Sequence, residues 1–152
     1  MLTANTGSSV LASAFDAGKA AALEAKAGLN GVKVAFAYAS CAYDLEAMLD
    51  GVKAGLPGVP VIGNTSFTGV ITPKGFVSGD DGFIGVMAIA DDTLDVGVAA
   101  VQKGVCAVEA GREAAKKAIA AAGKNCAPAY FYMVAPPGEE EFYLKGITEV
   151  IG

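Results

Sequence analysis

The sequence predicts an α/β fold: a mixed, mainly parallel sheet with flanking helices, one β-hairpin and an internal duplication. Three observations carry that expectation. Apolar runs of strand length alternate with Ala-rich segments of helical spacing. Two apolar runs flank a short polar turn at Asp91-Asp92-Thr93. The second half of the chain also repeats the order of the first, with small residues matched at a near-constant shift.

In chain order, Asp16 is placed to cap a helix running to Ala27, with Gly28 and Asn30-Gly31 as its stop. Residues 32–39 are apolar apart from Lys33 and read as a mostly buried strand, ending at Ser40-Cys41. Asp44 caps a second helix, with Leu45, Met48, Leu49 and Val52 on one face. Gly55, Pro57, Gly58 and Pro60 break it before a strand at 59–62. That strand gives way at Gly63 to three small polar residues, Asn64, Thr65 and Ser66. Residues 69–82 hold Pro73, Gly75, Gly79 and Gly82 and show no regular pattern. Residues 83–90 and 94–101 read as the two strands of the hairpin. A further Ala-rich helix runs from Cys106 to Ala122, closed by Gly123. Residues 129–135 read as a strand stopped by Pro136-Pro137, and Gly138 opens a last helix toward Val150.

The duplication is specific in its residues. The run from Ser13 to Lys19 answers the run from Cys106 to Arg112, shifted by 93 positions, as from Ala17 to Ala110. Asp44-Leu45-Glu46 and Leu49-Asp50-Gly51-Val52 answer Glu139-Glu140-Glu141 and Leu144-Lys145-Gly146-Ile147, shifted by 95, as from Gly51 to Gly146. In the first copy the second helix leads into the strand at Val59. The second copy has no such strand, so residues 1–152 are expected to be a single domain of something longer.

Composition narrows the function classes. Hydrophobic residues make up 53% and charged residues 18%, which argues for a large buried core rather than disorder. A net charge of -5, with Arg112 as the only arginine, leaves no phosphate-neutralising surface, so no nucleic-acid partner is expected. Cys41, Cys106 and Cys126 have no framework spacing and read as reduced thiols of a cytoplasmic protein. No run reaches the roughly 18–20 apolar residues of a membrane span, so no membrane partner is expected either. High apolar content and the missing strand predict a homo-oligomer, or a C-terminal domain that covers the exposed edge.

The chain has no histidine, which removes Ser-His-Asp and Cys-His catalysis and most zinc sites. It also has no CxxC pair, and no GxGxxG or Walker A pattern follows a strand. No cofactor, metal or catalytic set is therefore expected. Glu139-Glu140-Glu141 complements a helix dipole. Cys41 is the one candidate nucleophile, lying before a helix start, and a thiol-dependent enzyme is the alternative it leaves open. A structural or oligomerisation domain without a ligand is a third.

The favoured site follows from topology. Two parallel strands joined by a helical crossover end on the same sheet edge. Ser40 and Cys41 should then lie beside Asn64, Thr65 and Ser66, in the crevice where α/β sheets hold ligands. Helix amides near Asp44 would favour an anionic group, and Asn64 and Ser66 would read an amino or hydroxyl group.

Tyr38-Ala39-Ser40-Cys41-Ala42-Tyr43-Asp44-Leu45-Glu46-Ala47-Met48-Leu49, followed by Pro57-Gly58-Val59-Pro60-Val61-Ile62-Gly63-Asn64-Thr65-Ser66, resembles the N-terminal half of FIST domains. Gly69-Val70-Ile71-Thr72, Gly75-Phe76, Val86-Met87-Ala88-Ile89-Ala90 and Ala110-Gly111-Arg112-Glu113-Ala114-Ala115 fit the same pattern. The resemblance implies a sensory signal-transduction domain that binds a small ligand such as an amino acid, and residues 1–152 are expected to be a single FIST N-like domain lacking the C-terminal companion region usual in that family. The family often has Cys where this chain has Asn64, and an acidic residue where it has Val70.

Overall fold

The computed structural model describes residues 1–152, which divide into two compact units, Met1–Leu94 and Asp95–Gly152. In the first unit the elements are β1 (Thr3–Ser9), α1 (Ala14–Lys26), β2 (Val32–Ser40), α2 (Leu45–Gly55), β3 (Val61–Ser66), β4 (Val70–Thr72), β5 (Gly75–Val77) and β6 (Ile84–Ala90). The second holds α3 (Ala107–Ala121) and α4 (Glu140–Ile151). No helix is long and apolar enough to cross a membrane.

The fold is mixed α/β, as expected, but its main sheet is not mainly parallel. The order is β1-β6-β2-β3, with β6 antiparallel to both β1 and β2, and only β2 and β3 parallel. The last strand of the unit has inserted between the first two. That insertion also removes the expected hairpin around Asp92. Both edges of β6 are already paired, so residues 94–101 have no edge to join and form no strand. The turn itself is present, with Asp91 Oδ1 accepting from Thr93 N at 2.8 Å. The hairpin the protein does form is β4–β5, inside the stretch without a sequence pattern.

One face of the sheet buries small residues against the helices. Ala35, Ala37 and Ala39 of β2, with Ile84, Val86 and Ala88 of β6, share a core with Ala17, Ala21, Ala22, Ala25, Met48, Val52 and Leu56. Alanine on both sides lets backbones approach closely. Leu56, Ile84 and Val52 are the largest fully buried side chains, each stabilising by about 1.5–3 kcal/mol. Asp44 caps α2 as expected, accepting from the amides of Glu46 and Ala47. The cap of α1 is Ser13 rather than Asp16, because the Ser13 hydroxyl accepts from Asp16 N and starts the helix earlier.

β1 is not legible in the sequence, since TANTGSS is polar and small. It is an edge strand, and α1 holds it. Asn5 Nδ2 donates to the carbonyls of Glu24 and Ala27, both at 3.0 Å, and Ser8 N donates to Glu24 Oε2 at 2.9 Å. Glu24 also pairs with Lys74 on the β4–β5 turn. The Lys74 hydrogen bond and the Ser8 amide hold the Glu24 carboxyl below its ordinary value.

The duplication is reproduced in atomic contacts. A Cβ on Gly18 would overlap the carbonyl oxygen of Met48, and one on Gly111 would overlap that of Tyr143. Gly51 meets Phe15 O and Lys19 N, while Gly146 meets Val108 O and Arg112 N. Every partner moves by 93 on the first helix and 95 on the second. Both helix pairs therefore cross at the same two glycines.

The second unit lacks the strand expected at 129–135 as well as the one at 94–101. The first unit supplies the reason. There the counterparts, β1 and β2, do not pair with each other; each pairs with β6. The second unit has no counterpart of β6, so its two segments have no ladder to enter.

Candidate functional site

The carboxyl ends of β2 and β3 lie side by side. Tyr38 is in register with Asn64, Ala39 with Thr65 and Ser40 with Ser66. The structure therefore brings Ser40 together with Asn64, Thr65 and Ser66, and Cys41 follows directly. Asn64, Thr65 and Ser66 belong to β3 itself rather than to a loop, because pairing with β2 continues through Ser40. Gly63 makes this possible by close approach: a Cβ there would overlap the Ala37 carbonyl oxygen.

Several of these groups are engaged. Ser40 is buried, its Oγ accepting from Ala42 N at 3.1 Å and its amide donating to Phe83 O at 2.8 Å. Ser66 Oγ donates to Gly69 O at 2.6 Å, closing the turn into β4. Asn64 and Thr65 are exposed, and Cys41 is an exposed free thiol. The helix start does not favour an anion as expected. Asp44 Oδ1 accepts from Glu46 N and Ala47 N, both at 3.1 Å, so a carboxylate already occupies those amides.

A small cleft of about 160 Å³ lies on the sheet face opposite the helices. Thr6 and Gly7 of β1, Tyr38 of β2, and Gly85, Val86 and Met87 of β6 line it, with Val70, Ile71 and Thr72 of β4. Gly85 lets β4 lie close, since a Cβ there would stand 2.9 Å from Val70 Cγ2. No charged side chain lines the cleft. Thr72 Oγ1 is committed to its own turn, donating to Gly75 O at 3.0 Å and accepting from Lys74 N at 3.2 Å. The cleft is absent from the sequence-based expectation because β1 and β4 are absent from it. The usable signal is Val70-Ile71-Thr72 and Gly75-Phe76-Val77 on either side of Pro73-Lys74, two β-rich triplets around a turn.

Arg112 is already engaged by carboxylates. It pairs with Glu109 of its own helix and Glu149 of α4; both hold its pKa above the ordinary value, and the second ties α3 to α4.

A mixed sheet backed by helices on one face, with a small uncharged cleft on the other, defines the class as a compact α/β domain with an open sheet face. The family model of the FIST N domain matches residues 33–152, and the chain belongs to that family of sensory signal-transduction domains. No curated protein matches the chain.

Proposed function

We propose that this domain senses a small, polar, uncharged metabolite held in the cleft beneath β4. The observation that carries the reading is a cleft with hydroxyl-bearing walls and no charged lining. Its 160 Å³ is well below the roughly 300–1,000 Å³ of drug-sized sites, so the ligand has few heavy atoms. A free amino acid fits less well, because its carboxylate would meet no cation and the α2 start is closed by Asp44. Thr72 Oγ1 is committed to its turn, so few hydrogen bonds at about 1 kcal/mol each are open to a ligand and affinity is modest.

In this reading Ser66 positions the site, since its bond to Gly69 O sets the path of β4. Asn64 stands one strand beyond Tyr38 and is a neighbour rather than a wall. The alternative placement, at Ser40, Cys41, Asn64, Thr65 and Ser66, is separable. A thermal-shift screen of neutral polar metabolites, at about ten times Kd, should add about 1.4 kcal/mol. Thr6→Val should abolish that shift while Asn64→Ala and Cys41→Ser retain it. Loss with Asn64→Ala and retention with Thr6→Val would move the site to the β2–β3 edge. Loss of a turnover activity with Cys41→Ser would favour the thiol enzyme.

A further inference from the structure

We propose that the β4–β5 hairpin is a strap over the cleft, latched at its tip by Lys74 on Glu24, and that release of this ion pair opens the cleft to ligand. The inference rests on the reading of the cleft as the ligand's place, and adds how access to it is controlled. The first observation is how the hairpin is attached. β4 and β5 pair with each other and with no strand of the main sheet. β4 lies over β1 and β6, where Val70 meets Gly85, and it supplies one wall of the cleft. None of the hairpin's strand residues is buried. A segment with so little buried apolar surface separates from its support at low free-energy cost, as lids do. Its two ends are turns, closed by Ser66 Oγ donating to Gly69 O at 2.6 Å and by Gly82 N donating to Gly79 O at 3.2 Å. These turns place the hinge at the end of β3 and just before β6.

The second observation is what stands at the far end. Pro73-Lys74 forms the tip, where Thr72 Oγ1 accepts from Lys74 N at 3.2 Å and donates to Gly75 O at 3.0 Å. The tip is fixed within itself, so Lys74 moves with the whole hairpin. Its ammonium meets Glu24 Oε1 of α1, while Glu24 Oε2 accepts from Ser8 N of β1 at 2.9 Å. The Glu24 carbonyl is also held, accepting from Asn5 Nδ2 at 3.0 Å. One half of the pair is therefore anchored to the body of the unit, and the other rides on the strap.

The place and strength of the pair suit a latch. Ser8 follows Thr6 and Gly7, which line the cleft opposite β4, so the pair ties the two walls together. The Lys74 side chain is 75% exposed and that of Glu24 35%. An ion pair this open to water is weak and salt-sensitive. It biases the strap shut and still releases it.

The test uses the full chain and the neutral nitroxide TEMPOL, whose enhancement of proton relaxation at Thr6 and Gly85 reads how often the cleft stands open. Lys74→Gln should raise that enhancement about threefold, and Lys74→Arg should leave it at the parent value. Salt raised from about 0.01 M to about 1 M cuts the Debye length from about 30 Å to about 3 Å. That change should bring the parent up to Lys74→Gln and leave the variant unchanged. Equal enhancement in the parent and Lys74→Gln, or a salt response that persists in Lys74→Gln, overturns the proposal. Glycerol, a small neutral polyol, separates the strap from the ligand reading. Greater enhancement in Lys74→Gln, with no glycerol-induced shifts at Thr6 and Gly85, supports the strap and counts against the cleft as the ligand's place. Glycerol shifts at those residues, with enhancement unchanged by Lys74→Gln, support that place and overturn the strap.

Discussion

Tyr43 shows how one side chain fixes a loop. Its Oη donates to Leu11 O at 2.6 Å, tying the segment after β1 to the start of α2. Burial raises its pKa above the ordinary 10.0, and the charge of Asp81 adds to the rise. A raised folded pKa gives stability that is present below pH 10 and lost as pH rises through the folded value. Tyr43→Phe should therefore cost about 1 kcal/mol near neutral pH and flatten the alkaline limb of a denaturation series. Glu24 behaves in the opposite sense. Its lowered pKa gives stability present above pH 4.5 and lost as pH falls through the folded value. Glu24→Gln should be less stable than the parent near neutral pH, with the two converging in acid. A constant difference across that range would show that Lys74 and Ser8 do not set the effect.

At the scale of elements, the repeated glycine crossings are the feature most open to test. Gly18→Ala and Gly111→Ala each force a methyl group into a facing carbonyl, and each should cost about 1–3 kcal/mol in urea titration. A neutral result at both positions would contradict the duplicated crossing. The helices are legible in the sequence because capping and periodicity are local: α3 and α4 fall close to their expected bounds. The sheet is only partly legible. The β2–β3 pair follows from the crossover rule, but nothing local in Ile84–Ala90 says that it inserts between β1 and β2. The two strands expected in the second unit fail for the same reason, since a strand needs a partner that its own sequence does not specify. Of the candidate site, the neighbouring of Ser40 with Asn64, Thr65 and Ser66 is legible. The cleft is not, because it depends on a polar edge strand and a three-residue strand.

For the whole molecule, the proposed ligand belongs to the first unit. The sheet has two edge strands, β1 and β3; the homo-oligomer expected from the apolar composition is tested by sedimentation, and a concentration-independent monomer counts against it. The place and chemistry of the ligand are tested most directly by amide chemical-shift mapping of the full chain with the best neutral metabolite from the screen. Perturbations are expected to centre on Thr6, Gly85, Val70, Ile71 and Thr72, and to be absent in Thr6→Val. Perturbations centred on Cys41, Asn64, Thr65 and Ser66, unchanged in Thr6→Val, would contradict the cleft as the binding site.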